Sequence, residues 1–143
     1  MWLLDVNVLL YAHKRDLPGH LEVAAWLEAA VATGKPFAVS SAVLSGFVRV
    51  ATDPKIFRPP STLEEALAFA VALREQPGCR VLEPGAAHWS IFAGLCRAVG
   101  ATGNLVPDAY LATLALEHGC ELVTADRDFA RFPGLRWRHP FDR

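Results

Sequence analysis

Leu122-Val123-Thr124-Ala125-Asp126 is a short apolar run that ends in an acid, and Leu3-Leu4-Asp5, near the other end of the chain, is built the same way. Each reads as a buried strand whose carboxyl end delivers an aspartate. Short apolar runs bounded by helical patterns belong to strands covered on both faces, and such strands make parallel sheets. The fold class expected is therefore α/β, with helices on both sides of the sheet. In an open sheet of this kind ligands bind beyond the carboxyl ends of the strands, where strand order reverses. If the two strands are neighbours at that point, their axes lie about 4.8 Å apart, and Asp5 and Asp126 face one crevice.

The intervening sequence supplies the rest of the pattern. From about Pro18 to Thr33, Val23, Trp26, Leu27 and Ala30 recur at helical spacing before Gly34 and Pro36 end the run. Phe37–Val39 is a second strand, and Ser41 is placed to cap a helix carrying Val43, Leu44, Phe47, Val48 and Ala51, which ends at Asp53-Pro54. After a Pro-rich loop, Thr62-Leu63-Glu64-Glu65 is a capping box opening a helix to about Glu75. Arg80–Leu82 is a third strand, Ala86–Val99 a helix, and Gly100–Pro107 a loop. Asp108–His118 is a helix closed by Gly119, Glu121–Thr124 a fourth strand, and Leu135–Trp137 a short fifth.

Bulk properties bound the function. The 143 residues suit one domain over 1–143, and 52% hydrophobic content supports a real core. A net charge of −1 excludes a simple polybasic nucleic-acid binder, although a local basic patch on a neutral protein can still hold RNA. Cys79, Cys96 and Cys120 form no CxxC pair and read as buried free thiols. No secretory leader pattern or bilayer-length apolar stretch is present, and chemistry begins at residue 5, so a mature N-terminus and a cytoplasmic protein are expected.

Asp108 begins the helix that feeds the fourth strand, so it can reach the crevice of Asp5 and Asp126. Three converging carboxylates repel one another unless a cation neutralises them. Oxygen ligands favour Mg²⁺ or Mn²⁺, which can activate a water and stabilise charge building on a phosphodiester. No Ser-His-Asp or Cys-His set offers another route. Taken singly, Asp5 and Asp108 also suit helix N-caps, and Asp126 a cap on the turn through Arg127-Asp128-Phe129.

The stretches Leu3-Leu4-Asp5-Val6-Asn7-Val8-Leu9-Leu10-Tyr11-Ala12, Gly103-Asn104-Leu105-Val106-Pro107-Asp108-Ala109-Tyr110-Leu111-Ala112 and Thr124-Ala125-Asp126-Arg127-Asp128-Phe129 resemble the motifs of PIN-domain proteins, in family order and nearly end to end. More narrowly the chain resembles VapC-type toxins of prokaryotic toxin–antitoxin modules. The resemblance implies a three-layer α/β/α sandwich with a parallel sheet in the order 3-2-1-4-5. It implies Mg²⁺ held by Asp5, Asp108 and Asp126, with Asn7 and Thr124 positioning the acids or the attacking water. It also implies endonucleolytic cleavage of RNA, often tRNA or rRNA, and inhibition by a VapB-type antitoxin. With the generous apolar content, it predicts a homodimer. One position departs from the family: where a glutamate is usual, Val43-Leu44-Ser45-Gly46-Phe47 presents Gly46. Asp128 is the expected substitute ligand.

Arg49 shares a helix face with Gly46 and suits either a scissile phosphate or a structural carboxylate. Lys14, Arg15, Lys55, Arg58, Arg127 and Arg131 can grip an RNA backbone or simply solvate the surface. The five histidines show no ligand spacing and read as surface or capping residues; Trp26 and Trp89 read as core or dimer interface. Three other readings stand beside the ribonuclease. An aspartyl-nucleophile phosphatase and a phospho-accepting receiver both want a lysine near the later acids, and none follows Lys55. A degenerate PIN domain that binds without cutting is favoured by Gly46.

Overall fold

The computed structural model describes residues 1–142. Five strands, β1 (Trp2–Leu4), β2 (Phe37–Ser40), β3 (Cys79–Leu82), β4 (Glu121–Val123) and β5 (Trp137–Arg138), form one sheet in the order β3-β2-β1-β4-β5, every pair parallel. The expected fold class and strand order are present. Six helices connect them: α1 (Val6–His13), α2 (His20–Ala32), α3 (Ser41–Ala51), α4 (Leu63–Arg74), α5 (His88–Val99) and α6 (Leu105–His118). From β1 to β3 the chain steps outward in one direction, then returns across the sheet to β4. Because parallel crossovers are right-handed, that reversal puts α5 and α6 on the face opposite α1–α4. Packing agrees: α1 lies against α2 and α3, α3 against α4, and α5 against α6.

The central strands are apolar because both faces are covered. Leu3, Leu4, Ala38, Val39, Leu122 and Val123 are fully buried. Truncating such a leucine to alanine costs about 2–5 kcal/mol, so this layer fixes where the strand ends lie.

Local sequence sets the helix boundaries, with several corrections of one to three residues. The capping box at Thr62 and Glu65 is formed, with the Glu65 backbone N–H donating to Thr62 Oγ1 at 3.1 Å and the Thr62 N–H to Glu65 Oε1 at 3.3 Å. Gly119 ends α6 at φ 68°, a left-handed conformation that a Cβ disfavours. Ser40, and not Ser41, caps α3, taking the Val43 N–H at 3.0 Å. β5 lies at Trp137–Arg138, shifted from the expected Leu135–Trp137. The largest correction concerns α6, which starts at Leu105 and places Asp108 inside its first turn. Pro107 is compatible with that turn because the first backbone N–H groups of a helix have no intrahelical acceptor.

All three thiols are free, but Cys79 and Cys96 are only half-buried; Cys120 alone fits the expected burial. Trp26 packs on Trp2 with ring centroids 5.0 Å apart, whereas Trp89 is 74% exposed and so is no part of the core. His88, expected at the surface, is buried beside the Tyr110 ring at 4.7 Å.

Candidate metal and phosphodiester site

β1 and β4 run side by side with Leu4 opposite Val123, so the residues that follow both strands leave the sheet at one edge. The Asp5 N–H extends the ladder by donating to the Val123 carbonyl at 3.0 Å. Asp5 then caps α1, its Oδ1 taking the Val6 N–H at 2.7 Å. Its other oxygen is held from two sides: Oδ2 accepts Thr124 Oγ1–H at 2.7 Å and the Asn7 amide at 3.1 Å.

Thr124 and Asn7 lock the two strand ends together. Thr124 is fully buried, and its hydroxyl accepts the Asn7 amide at 3.1 Å and the Asp126 N–H at 3.0 Å. Asn7 Oδ1 takes the Ala125 N–H at 2.9 Å. The tie therefore fixes the Asp5 carboxylate and the backbone leading into Asp126 through one set of bonds. Asp126 in turn caps the short 3₁₀ turn Arg127–Arg131, accepting the Asp128 N–H at 2.9 Å through Oδ1.

Asp5, Asp108 and Asp126 line one crevice of about 610 Å³, together with Asn7, Leu10, Gly46, Arg49, Phe92 and Tyr110. The bland readings are partly true and do not compete with this. Asp5 and Asp126 are caps, yet each also faces the crevice; Asp108 is not a cap, since α6 begins earlier. Burial pushes the Asp5 carboxyl above its ordinary value, with hydrogen bonds from Thr124 and Val6 opposing and the Asp126 charge reinforcing the rise. The Asp108 carboxyl is pushed from 3.8 to about 6, first by burial and then by the charges of Asp126, Asp5 and Asp128, with Arg131 opposing. Carboxyls shifted upward together mark a site short of positive charge.

Among the described residues no group of three or more His, Cys, Asp or Glu side chains closes into a ready-made metal cage. The donors are all oxygen and the crevice is open. That fits a small, hard, strongly hydrated cation, which keeps several waters and takes few carboxylates directly.

The remaining expected residues divide. Arg49 lines the crevice, is exposed, and has no carboxylate at ion-pair distance among the described residues. Asp128 is exposed outside the crevice lining, with Arg131 Nη2 at 3.9 Å. Gly46 is a point of close approach: a Cβ there would meet Val6 Cγ2 at 3.1 Å, so α3 and α1 pack where a side chain would intrude. Phe92 and Tyr110 were not legible as lining residues. Tyr110 lies only two residues beyond Asp108, but nothing in the sequence shows α5 laid against the mouth of the crevice.

Known proteins resemble this chain in sequence and in fold. The PIN domain family model matches residues 2–135. Ribonuclease VapC31 of Mycobacterium tuberculosis is 44% identical over 140 residues, spanning 98% of this chain and 99% of its own. VapC ribonuclease Mb2897 of Mycobacterium bovis is 42% identical, spanning 99% of this chain and 97% of its own. Among solved structures, VapBC2 from Rickettsia felis, bound to a DNA fragment from its promoter, superposes with a TM-score of 0.72 at 20% identity. That match covers 96% of this chain and 97% of the other, a likeness of fold.

Proposed function

This chain belongs to the PIN-domain family, and on that premise we propose that its acidic crevice is the cleaving centre of a metal-dependent endoribonuclease. The protein is a VapC-type ribonuclease, the toxin of a toxin–antitoxin pair whose partner is a VapB-type antitoxin, and it cleaves RNA. The observation that carries the metal-dependent reading is the meeting of Asp5, Asp108 and Asp126 at one sheet edge, with Asp108 held near 6 by burial and its acidic neighbours.

Asp5, Asp108 and Asp126 would hold Mg²⁺ or Mn²⁺, which when bound supplies charge stabilisation and an activated water at a phosphodiester. The chain's own residues do the rest. Thr124 and Asn7 fix Asp5 through Oδ2, so one carboxylate is oriented before any ligand arrives and loses no rotamer freedom on binding. The Asp126 backbone is held by the same Thr124 hydroxyl. Arg49, without a carboxylate partner among the described residues, meets a phosphate oxygen of the strand as it enters.

Phe92 and Tyr110 give the opposite wall an apolar, aromatic surface suited to a nucleobase. An aspartyl nucleophile is disfavoured because no lysine follows Lys55 to accompany the later acids. Gly46 supports one second reading, a domain that binds RNA without cutting it.

Incubation of the purified protein with total tRNA or rRNA separates these readings. Cleavage should require Mg²⁺ or Mn²⁺, stop in excess chelator and return when the metal is restored. Cleavage that continues unchanged in chelator refutes the metal mechanism; metal-dependent RNA binding without cleavage establishes the second reading.

A further inference from the structure

Lys14, a surface loop cation by its sequence context, is only 7% exposed. Buried lysines are nearly always paired, yet among the described residues no carboxylate lies within ion-pair distance of this ammonium. The Phe57 ring lies 4.4 Å from Nζ to its centroid. The residue lines a cavity of about 600 Å³ with His13, Arg15, Pro60, Ser61 and Glu65. His13 Nε2 lies 2.9 Å from Ser61 Oγ, a bond that ties the end of α1 to the loop after α3. The Lys14 charge is felt there: after burial, it is the next cause holding His13 below its ordinary value.

That loop carries two more exposed cations, Lys55 and Arg58, and Arg15 is exposed beside Lys14. Three acids in these segments face the group less directly. Glu65 lines the cavity with Oε1 taking the Thr62 N–H at 3.3 Å, and Asp53 Oδ1 takes the Lys55 N–H at 2.8 Å. Asp16 is exposed on the Lys14 side.

The position of this cavity decides its ligand. Val6 and Leu10 of α1 line the acidic crevice, and His13 and Lys14 follow Leu10 by three and four residues, so they continue the same helix face. On α3, Gly46, Arg49 and Val50 line the crevice, and the loop with Lys55 and Arg58 follows. Crevice, Arg49 and Lys14 cavity thus succeed one another along the α1–α3 side. The helix carries the chain about 13 Å from Asp5 to Lys14 at roughly 1.5 Å per residue. That is about four nucleotides at 3.4 Å each, fewer if the strand is extended.

We infer that the Lys14 cavity is a second phosphate-binding site, which grips the backbone of single-stranded RNA a few nucleotides from the scissile bond. This rests on the ribonuclease reading and deepens it: affinity and cutting position are set partly by a pocket remote from the acids. The test measures anisotropy of fluorescein-labelled single-stranded RNA against salt, using the full chain with Asp108→Asn to stop turnover. A strand of about twelve nucleotides spans both sites, whereas a dinucleotide reaches only one.

Lys14→Met, which keeps an unbranched stem over Phe57, should weaken the long strand about tenfold and flatten its salt slope by about 0.7. Dinucleotide binding should be unchanged. Arg15→Gln, at an exposed position, should flatten the slope likewise and carries the test if Lys14→Met does not fold. An unaltered slope in both variants, or equal losses for the long strand and the dinucleotide, overturns the site. So does loss of poly-glutamate binding with RNA binding intact, which would assign the cavity to a protein partner. A parent chain that neither binds nor cleaves RNA refutes the ribonuclease reading itself; a parent that cleaves while both variants keep the parent slope refutes only the cavity.

Discussion

Replacing Asp108 with asparagine removes one charge from the crevice and keeps the shape of the side chain. The carboxyl is pushed from 3.8 to about 6, which at about 1.36 kcal/mol per pH unit sets a ceiling of about 3 kcal/mol on the cost of its charge. The group is partly solvated, so screening reduces that to roughly half. Its place in the first turn of α6 offsets a further share, because a negative charge there is favoured by about 0.3–1 kcal/mol.

Asp108→Asn should therefore stabilise the metal-free protein by about 1 kcal/mol at neutral pH, a rise of about 2–4 °C in Tm for a chain of this size. The sign of the pH dependence follows from the direction of the shift. The folded state holds the Asp108 proton more tightly than the unfolded chain, so its contribution is greatest below 3.8, declines as pH rises to about 6, and is flat above. The advantage of the variant should appear across that window and be absent below it.

Thermal melts in chelator at about pH 4 and about pH 7 measure the difference directly. Added Mg²⁺ should then raise the parent's Tm, by about 2.7 kcal/mol of stability at a hundredfold excess over Kd, and do far less for the variant, which should not cleave RNA. A variant less stable than the parent at neutral pH, or an equal Mg²⁺ response in both, refutes the crowded-carboxylate reasoning.

Asn7→Ala removes three hydrogen bonds, one to Asp5 and two to the end of β4; at about 1 kcal/mol each the Tm should fall by about 6–12 °C, with cleavage reduced. A melt within about 1 °C of the parent's would show the tie to be dispensable. Asp128→Asn should leave the Mg²⁺-induced rise in Tm at the parent's value, since the carboxylate lies outside the crevice beside Arg131; a clearly smaller rise would make Asp128 the ligand that stands in for the missing glutamate. A homodimer is expected from the exposed stripe Leu63, Leu67 and Val71 on α4 and from exposed Trp89; light scattering that gives a monomer mass at tens of micromolar, roughly the range that reveals weak association, would refute it.

What was legible in the sequence is what local patterns encode. Leu3-Leu4 and Leu122-Val123 read as strands buried on both faces, and an acid after each points to the crevice. Thr62 with Glu65, and Gly119, announce their helix ends because the capping chemistry lies within a few residues of itself. Asp108 was misplaced as a helix start because Pro107 reads as a break, although proline is tolerated in a first turn. β5 has only two residues, too few for a period to register. The burial of Lys14 and His88 was invisible for another reason: it is imposed by Phe57, Phe92 and Tyr110, partners remote in sequence. The absence of a glutamate at Gly46 could be read, but the close approach of the Val6 methyl, 3.1 Å from where a Cβ would sit, could not.

The pairing of β1 with β4 also sets an order of events during synthesis. Asp5 leaves the ribosome more than a hundred residues before Thr124 and Asp126, which orient and complete its site. At about 5–20 residues per second, that interval is on the order of 6–24 s. Throughout it, one edge of the central strand has no partner, and the carboxylate that the Thr124 hydroxyl will hold is loose. A chain halted within this interval holds Asp5 without the Thr124 hydroxyl and without Asp126, so the acidic crevice is complete only in a chain translated past Asp126.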